Sequence, residues 1–227
     1  MLHKDRILRI GDTNQDRLGL LSSRSVDLFT RDGGIGKEGQ DYIYNKVGEV
    51  VTGITTERIF GFTENYDWQI SIEPDAISKF AEIQETGQYI IHSPVISDET
   101  IFIAEPSAIW LRGLNQKNAD EYIVEPIQCK CPREFSQFIR YISCQSPKEL
   151  KKFSPKYYWR MLDNMLICNA IKGHFFIFHP VFEQSKNYHT IIFDRISLLE
   201  DMNFLKKRKM EAAALYKAAI EKMTNKE

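Results

Sequence analysis

Between Tyr122 and Pro132 (Tyr-Ile-Val-Glu-Pro-Ile-Gln-Cys-Lys-Cys-Pro), apolar and β-prone residues alternate with others, and a proline ends the run. That period predicts a buried or half-buried strand. Gln128 and Lys130 stand two apart and share one face of it, with Cys129 and Cys131 on the other. An ammonium inside a strand needs an anionic partner or a route to water. The polar pair therefore marks either a site or the wet face of an edge strand.

The rest of the chain alternates between the two periods. Leu18 to Thr30 predicts a short helix capped by one of its serines, and Glu38 to Val51 a helix stopped at Gly53. Trp68 to Glu85 predicts another, with Ile70, Ile72, Ala76, Ile77, Phe80, Ala81 and Ile83 on its apolar face and Pro74 in its first turn or at a kink. Strands are expected at Tyr89–Val95, Thr100–Ala104, His174–His179 and Tyr188–Asp194, with a turn over Gly113–Asp120. Helices are expected at Glu134–Ser143 and Tyr157–Ala170, separated by a lysine-rich loop, Lys148–Lys156. From Ser197 onward the chain reads as a Lys-rich helix. The glycine-rich Arg31–Lys37 lacks the Gly-Lys-Ser/Thr ending of a nucleotide-binding loop and reads as a connector. The order predicts a single α/β domain over 1–227 with a mixed central sheet, a lead-in at 1–18 and a C-terminal helix at 197–227.

Composition narrows the function. With 227 residues, 27% charged and a formal net charge of −1, the chain has no global nucleic-acid footprint, so any DNA contact comes from a local patch. No apolar run reaches membrane-span length, and Met1-Leu-His-Lys-Asp-Arg lacks the core of a signal peptide, so a cytoplasmic protein is expected. The four cysteines (Cys129, Cys131, Cys144, Cys168) do not form two close pairs, which argues against zinc and for reduced, buried thiols. His174 and His179 read as strand-end residues.

Several blocks occur in a telling order: Arg17-Leu-Gly-Leu-Leu-Ser-Ser, Tyr42…Glu49-Val-Val-Thr-Gly53, Trp68-Gln-Ile-Ser-Ile-Glu-Pro-Asp-Ala-Ile77, Ala104-Glu-Pro-Ser-Ala108, Gln128-Cys-Lys-Cys-Pro132 and Pro155-Lys-Tyr-Tyr-Trp-Arg-Met-Leu-Asp-Asn-Met-Leu166. Over roughly residues 17–200 the series resembles the phage λ-exonuclease/YqaJ branch of the PD-(D/E)XK nucleases. The resemblance implies a restriction-endonuclease-like core, a central mixed β-sheet flanked by helices with Mg²⁺ at the sheet's end. It also implies an aspartate and a strand glutamate as metal ligands, a nearby helix glutamate, a water-activating lysine and a glutamine on the later helix.

The carry-over is mostly negative. Glu73 matches the helix glutamate and Lys130 the lysine. Ser107 stands where the aspartate belongs, Gln128 where the strand glutamate belongs, and Arg160 or Leu162 where the glutamine belongs. Arg24 falls where the family's N-terminal block usually has serine. Mg²⁺ wants anionic oxygen in octahedral array, and two-metal hydrolysis needs about two or three carboxylates. The expectation is a catalytically degenerate homologue that needs no metal and binds double-stranded DNA ends or a protein partner. Arg24, Lys130, Arg160 and the loop lysines Lys148, Lys151, Lys152 and Lys156 are the candidate phosphate contacts. The rival is an active Mg²⁺-dependent 5′→3′ exonuclease with Glu73, Glu105 or Glu125 as displaced ligands. A third reading is an interaction protein that assembles with itself, an annealing protein or an active paralogue. Its surface would be Met202, Leu205, Met210 and Tyr216, unless that stripe covers the protein's own sheet.

Overall fold

Phe175, Phe176, Ile177 and Phe178 are apolar at successive positions, which requires a sheet covered on both faces. The computed structural model describes residues 18–30, 34–54, 64–84, 89–92, 96–97, 101–113 and 122–224. Its larger sheet has five strands in the order β2-β5-β6-β7-β8: Tyr89–His92, Ala108–Gly113, Tyr122–Lys130, Lys172–Phe178 and Tyr188–Asp194. Only β6 and β7 run parallel; the other neighbours are antiparallel. The Tyr122–Lys130 strand is therefore an inner strand, paired along both sides. A smaller sheet joins β1 (Leu20–Leu21), β4 (Phe102–Ala104) and β3 (Ile96–Ser97) in the order β1-β4-β3.

Side-chain alternation sends Phe175 and Ile177 to one face and Phe176 and Phe178 to the other. The second face is covered by α2 (Glu64–Ile83), whose Ala76, Ile77 and Phe80 pack with Trp110, Ile127, Cys129 and Cys131. Phe80 meets Trp110, His174 and Phe176 edge-on, with centroids 5.7, 5.2 and 5.4 Å apart. The first face carries the larger core, built by α1 (Lys37–Thr52), α5 (Pro155–Ile167) and α6 (Leu199–Thr224). Two shorter helices, α3 (Phe135–Ile142) and α4 (Pro147–Phe153), complete the crossover from β6 to β7. Helix α5 lies close on β7. A side chain at Gly173 would run into Met161 Cε and come within 2.9 Å of Met165 Cγ.

Several expectations need correction. The Leu18–Thr30 stretch is not an α-helix: it is β1 followed by a 3₁₀ turn at Ser22–Leu28, preceded by Leu21 with no side-chain cap. Its first turn is tied to α1 because the Leu21 N–H donates to the Tyr42 hydroxyl at 2.8 Å. The Lys148–Lys156 loop is mostly helix. Ser146 accepts from the Glu149 N–H, Pro147 opens α4, and the Glu149 carboxylate accepts from the Gln145 N–H at 2.6 Å, so the start signal is a capping motif. Pro74 lies inside α2, which begins at Glu64 rather than Trp68. The stripe Met202, Leu205 and Tyr216 is buried against the protein's own core beside α1 and α5, whereas Met210 is exposed. His174 lies within β7, not at its end.

Helix α1 ends as expected, at Gly53 in the left-handed region (φ 69°). All four cysteines are free and buried. The lead-in at 1–17, the turn at 114–121 and parts of the Tyr89–Val95 and Thr100–Ala104 segments lie outside the described residues. Among the described residues, no helix is long and apolar enough to cross a membrane.

Candidate functional site

The antiparallel pairing of β5 with β6 sets Ala108 opposite Ile127, so Ser107 and Gln128 meet where the two strands end. Gln128 Nε2 donates to Ser107 Oγ at 3.1 Å and to the Cys129 carbonyl at 3.4 Å. The Ser107 hydroxyl also accepts the Cys129 N–H at 3.0 Å. Both side chains are buried, at 4% exposure each. The two positions where the resembled pattern has acids thus form a neutral hydroxyl–amide pair bonded to itself and to the strand. Gln128 Oε1 is buried without a protein partner.

Helix α2 brings Glu73 to the same strand end from the other face. Gln69, one turn earlier, holds it: Gln69 Nε2 donates to Glu73 Oε2 at 2.8 Å, while Gln69 Oε1 accepts the Cys131 N–H at 2.9 Å. Burial pushes the Cys131 thiol up to about 12, with Glu73 adding to the rise and Lys130 opposing it. The carboxylate and the ammonium therefore act on one neighbourhood. Cys129 is pushed well above the ordinary thiol range by burial, Cys131 and Glu73, so neither sulfur is a thiolate at neutral pH.

The third wall is α5. Tyr157 turns its ring under Lys130, whose Nζ lies 5.2 Å from the centroid, and one turn on Arg160 Nη2 donates to the Glu105 carbonyl at 2.7 Å. Glu105 is half-buried; its N–H donates to Ser22 Oγ at 3.2 Å, and its Oε2 accepts from Ser23 Oγ at 3.4 Å. Arg160 Nε is buried without a protein acceptor. Glu73, Ser107, Gln128, Lys130, Glu105 and Arg160 thus gather around the end of β6.

The remaining candidates stand elsewhere or are engaged. Glu125 lies on the opposite face of β6. Its Oε2 is 2.6 Å from His174 Nε2 and its Oε1 pairs with Arg112. Burial alone would raise this carboxyl, but the His174 hydrogen bond and the charges of His174 and Arg112 hold it below its ordinary value. Arg24 pairs with Asp27 and lies over the Tyr42 ring, 4.8 Å from its centroid. Lys151 is held by Asp201 at 2.7 Å, which also takes the Tyr158 hydroxyl at 2.6 Å. Lys148, Lys152 and Lys156 are exposed.

Ser107 and Gln128 offer a divalent ion no anionic oxygen. Ser107 Oγ already receives two protein N–H groups, and Gln128 turns its amide nitrogen toward it. Among the described residues, no three of His, Cys, Asp and Glu gather as an ion would require. Gln69 and Tyr157 were not anticipated as parts of the site. The signal for each is local: Gln69 is i−4 to Glu73 on one helix face, and Tyr157 opens the helix that carries Arg160.

No family model matches the chain, and no curated protein does. Solved structures do match. The alkaline exonuclease LHK-Exo from Laribacter hongkongensis superposes with a TM-score of 0.59 at 18% identity, covering 91% of this chain and 94% of that one. The same exonuclease in complex with dAMP gives 0.60 at 18% identity over 92% and 95%. A phage-related exonuclease from Haemophilus somnus 129PT gives 0.62 at 12% identity, covering 92% of this chain and all (100%) of the other. The mixed sheet flanked by helices is the restriction-endonuclease-like fold of these exonucleases.

Proposed function

We propose that this chain is a λ-exonuclease-like protein that engages the ends of duplex DNA through the β6 site without metal-dependent cleavage. The observation that carries the reading is the Gln128–Ser107 bond, two neutral side chains closed on each other where the resembled nucleases place acids. Two carboxylates, Glu73 and Glu105, stand beside two cations, Lys130 and Arg160, so the local charge balances near zero. Such a field gives a divalent ion little net attraction, and the N–H groups of Lys130 and Arg160 are the donors a phosphate would meet. The similar solved structures are exonucleases, one of them bound to dAMP, which supports a nucleic-acid ligand. A role in phage recombination beside an annealing protein or an active paralogue is part of this proposal.

The rival is an active Mg²⁺-dependent exonuclease with Glu73 and Glu105 as ligands. One observation favours it: the Gln128 carbonyl oxygen lacks a protein partner and is of the type that coordinates hard ions. Incubation of pure protein with end-labelled linear duplex and Mg²⁺ or Mn²⁺ separates the two. The expected result is binding in gel shift with no shortening of the strands. Digestion that disappears in Lys130→Ala would establish the rival instead.

A further inference from the structure

Arg160 stands at or near the position where the resembled pattern has a neutral glutamine, and it brings a charge there. The Glu105 carbonyl fixes one edge of its guanidinium against the segment that carries Ser107, the position of a lost acid. Its Nε is buried with no protein acceptor, as are those of Arg112 and Arg208, and Gln128 Oε1 is a buried acceptor with no donor, on a side chain only 4% exposed. Buried polar atoms of native proteins are mostly paired, with protein or with ordered water. The buried cations Lys46, Arg208 and Lys209 have carboxylates against them, Glu49, Glu211 and Asp163.

We propose that the Arg160 guanidinium is a built-in cation that meets a DNA phosphodiester at this site in place of a divalent ion. The inference rests on the DNA-end reading above and gives that reading its ligand contact. A guanidinium is charged at every working pH and presents a planar fork of N–H donors that matches two phosphate oxygens. The non-bridging oxygens accept from the Nη N–H groups that the Glu105 carbonyl leaves open. Lys130, steadied over Tyr157, supplies a second charge as a point donor. The neutral pair then has a physical reason: aspartate at 107 and glutamate at 128 would repel the phosphate unless an ion stood between them.

The test is fluorescence anisotropy of a labelled linear duplex with the full chain, in EDTA and then in Ca²⁺, at fixed salt. Wild type is expected to bind with the same Kd in both. Arg160→Gln should weaken binding about tenfold in both, and Arg160→Lys should recover only part of it, because the fork is lost. In the triple variant Arg160→Gln/Ser107→Asp/Gln128→Glu, binding should be weak in EDTA and return with Ca²⁺. Circular dichroism identifies any variant that fails to fold. Should Arg160→Gln be one, Arg160→Lys and the wild-type comparison of EDTA with Ca²⁺ decide. Wild-type binding that depends on Ca²⁺, or folded Arg160 variants that bind as wild type while Lys130→Ala does not, would overturn the inference and leave DNA binding standing. A wild-type chain that binds no duplex, or that digests it when Mg²⁺ is supplied, would instead remove the reading beneath.

Discussion

Strand β6 carries two charged clusters, and they are opposites. On the α2 face, Glu125 is 1% exposed and has both oxygens engaged, one by His174 and one by Arg112. At the strand's end, Lys130 rests on an aromatic ring, Arg160 holds a backbone carbonyl, and a buried donor and a buried acceptor are left over. A buried carboxylate with matched partners is a structural device; its removal strands the groups it served. The Glu125 cluster also leaves Arg112 Nε and His174 Nδ1 unpartnered, so the difference lies in charge: among the described residues neither Lys130 nor Arg160 is held by a carboxylate, and the mouth is ready to take an anion. The contrast separates a residue that holds the sheet from residues proposed to hold a ligand, although both sets combine glutamate with basic side chains.

The largest way to break the contrast is Glu125→Ala. It leaves Arg112 and His174 against an apolar face, and urea unfolding should show a loss of about 3–5 kcal/mol. A change below about 1 kcal/mol would mean that the cluster is no more structural than the mouth. Ser107→Ala comes next, since the buried Cys129 N–H loses its acceptor, at a cost of about 1–3 kcal/mol. Acid sharpens the same distinction. The Glu125 carboxyl titrates lower in the fold than its unfolded value of about 4.3, so its contribution is complete above that value and is lost as pH falls through the folded one. Wild type should therefore lose more stability on acidification than Glu125→Gln does, and parallel curves would refute the assignment. The smallest effect on folding belongs to the mouth: Lys130→Ala should change stability by less than about 0.5 kcal/mol. The same variant should lower the salt slope of DNA binding by about one.

Some of this was legible from residues alone. Gln128 and Lys130 share a face because strand side chains alternate, and that needed no structure. Gly53 ended α1 because a helix terminus favours a residue tolerant of positive φ. Ser107 joins Gln128 only through the register of β5 on β6, a long-range pairing that local pattern does not encode. The Arg112–Glu125–His174 cluster was hidden for the same reason, since three strands must align before the residues meet. Helix α4 was concealed by its lysines, which suggested a loop, although Ser146 and Glu149 already spelled a helix start. Where the local signal competed with composition, the capping chemistry decided.

Gly173 extends the reach of these contacts. With no side chain beneath Met161 and Met165, α5 beds directly onto β7, and Arg160, the residue before Met161, inherits that height. The floor beneath Arg160's helix is therefore met by the side chains of Met161 and Met165. Bulk added at that floor must displace the two methionines first, and only what they fail to absorb would reach the helix that carries the arginine.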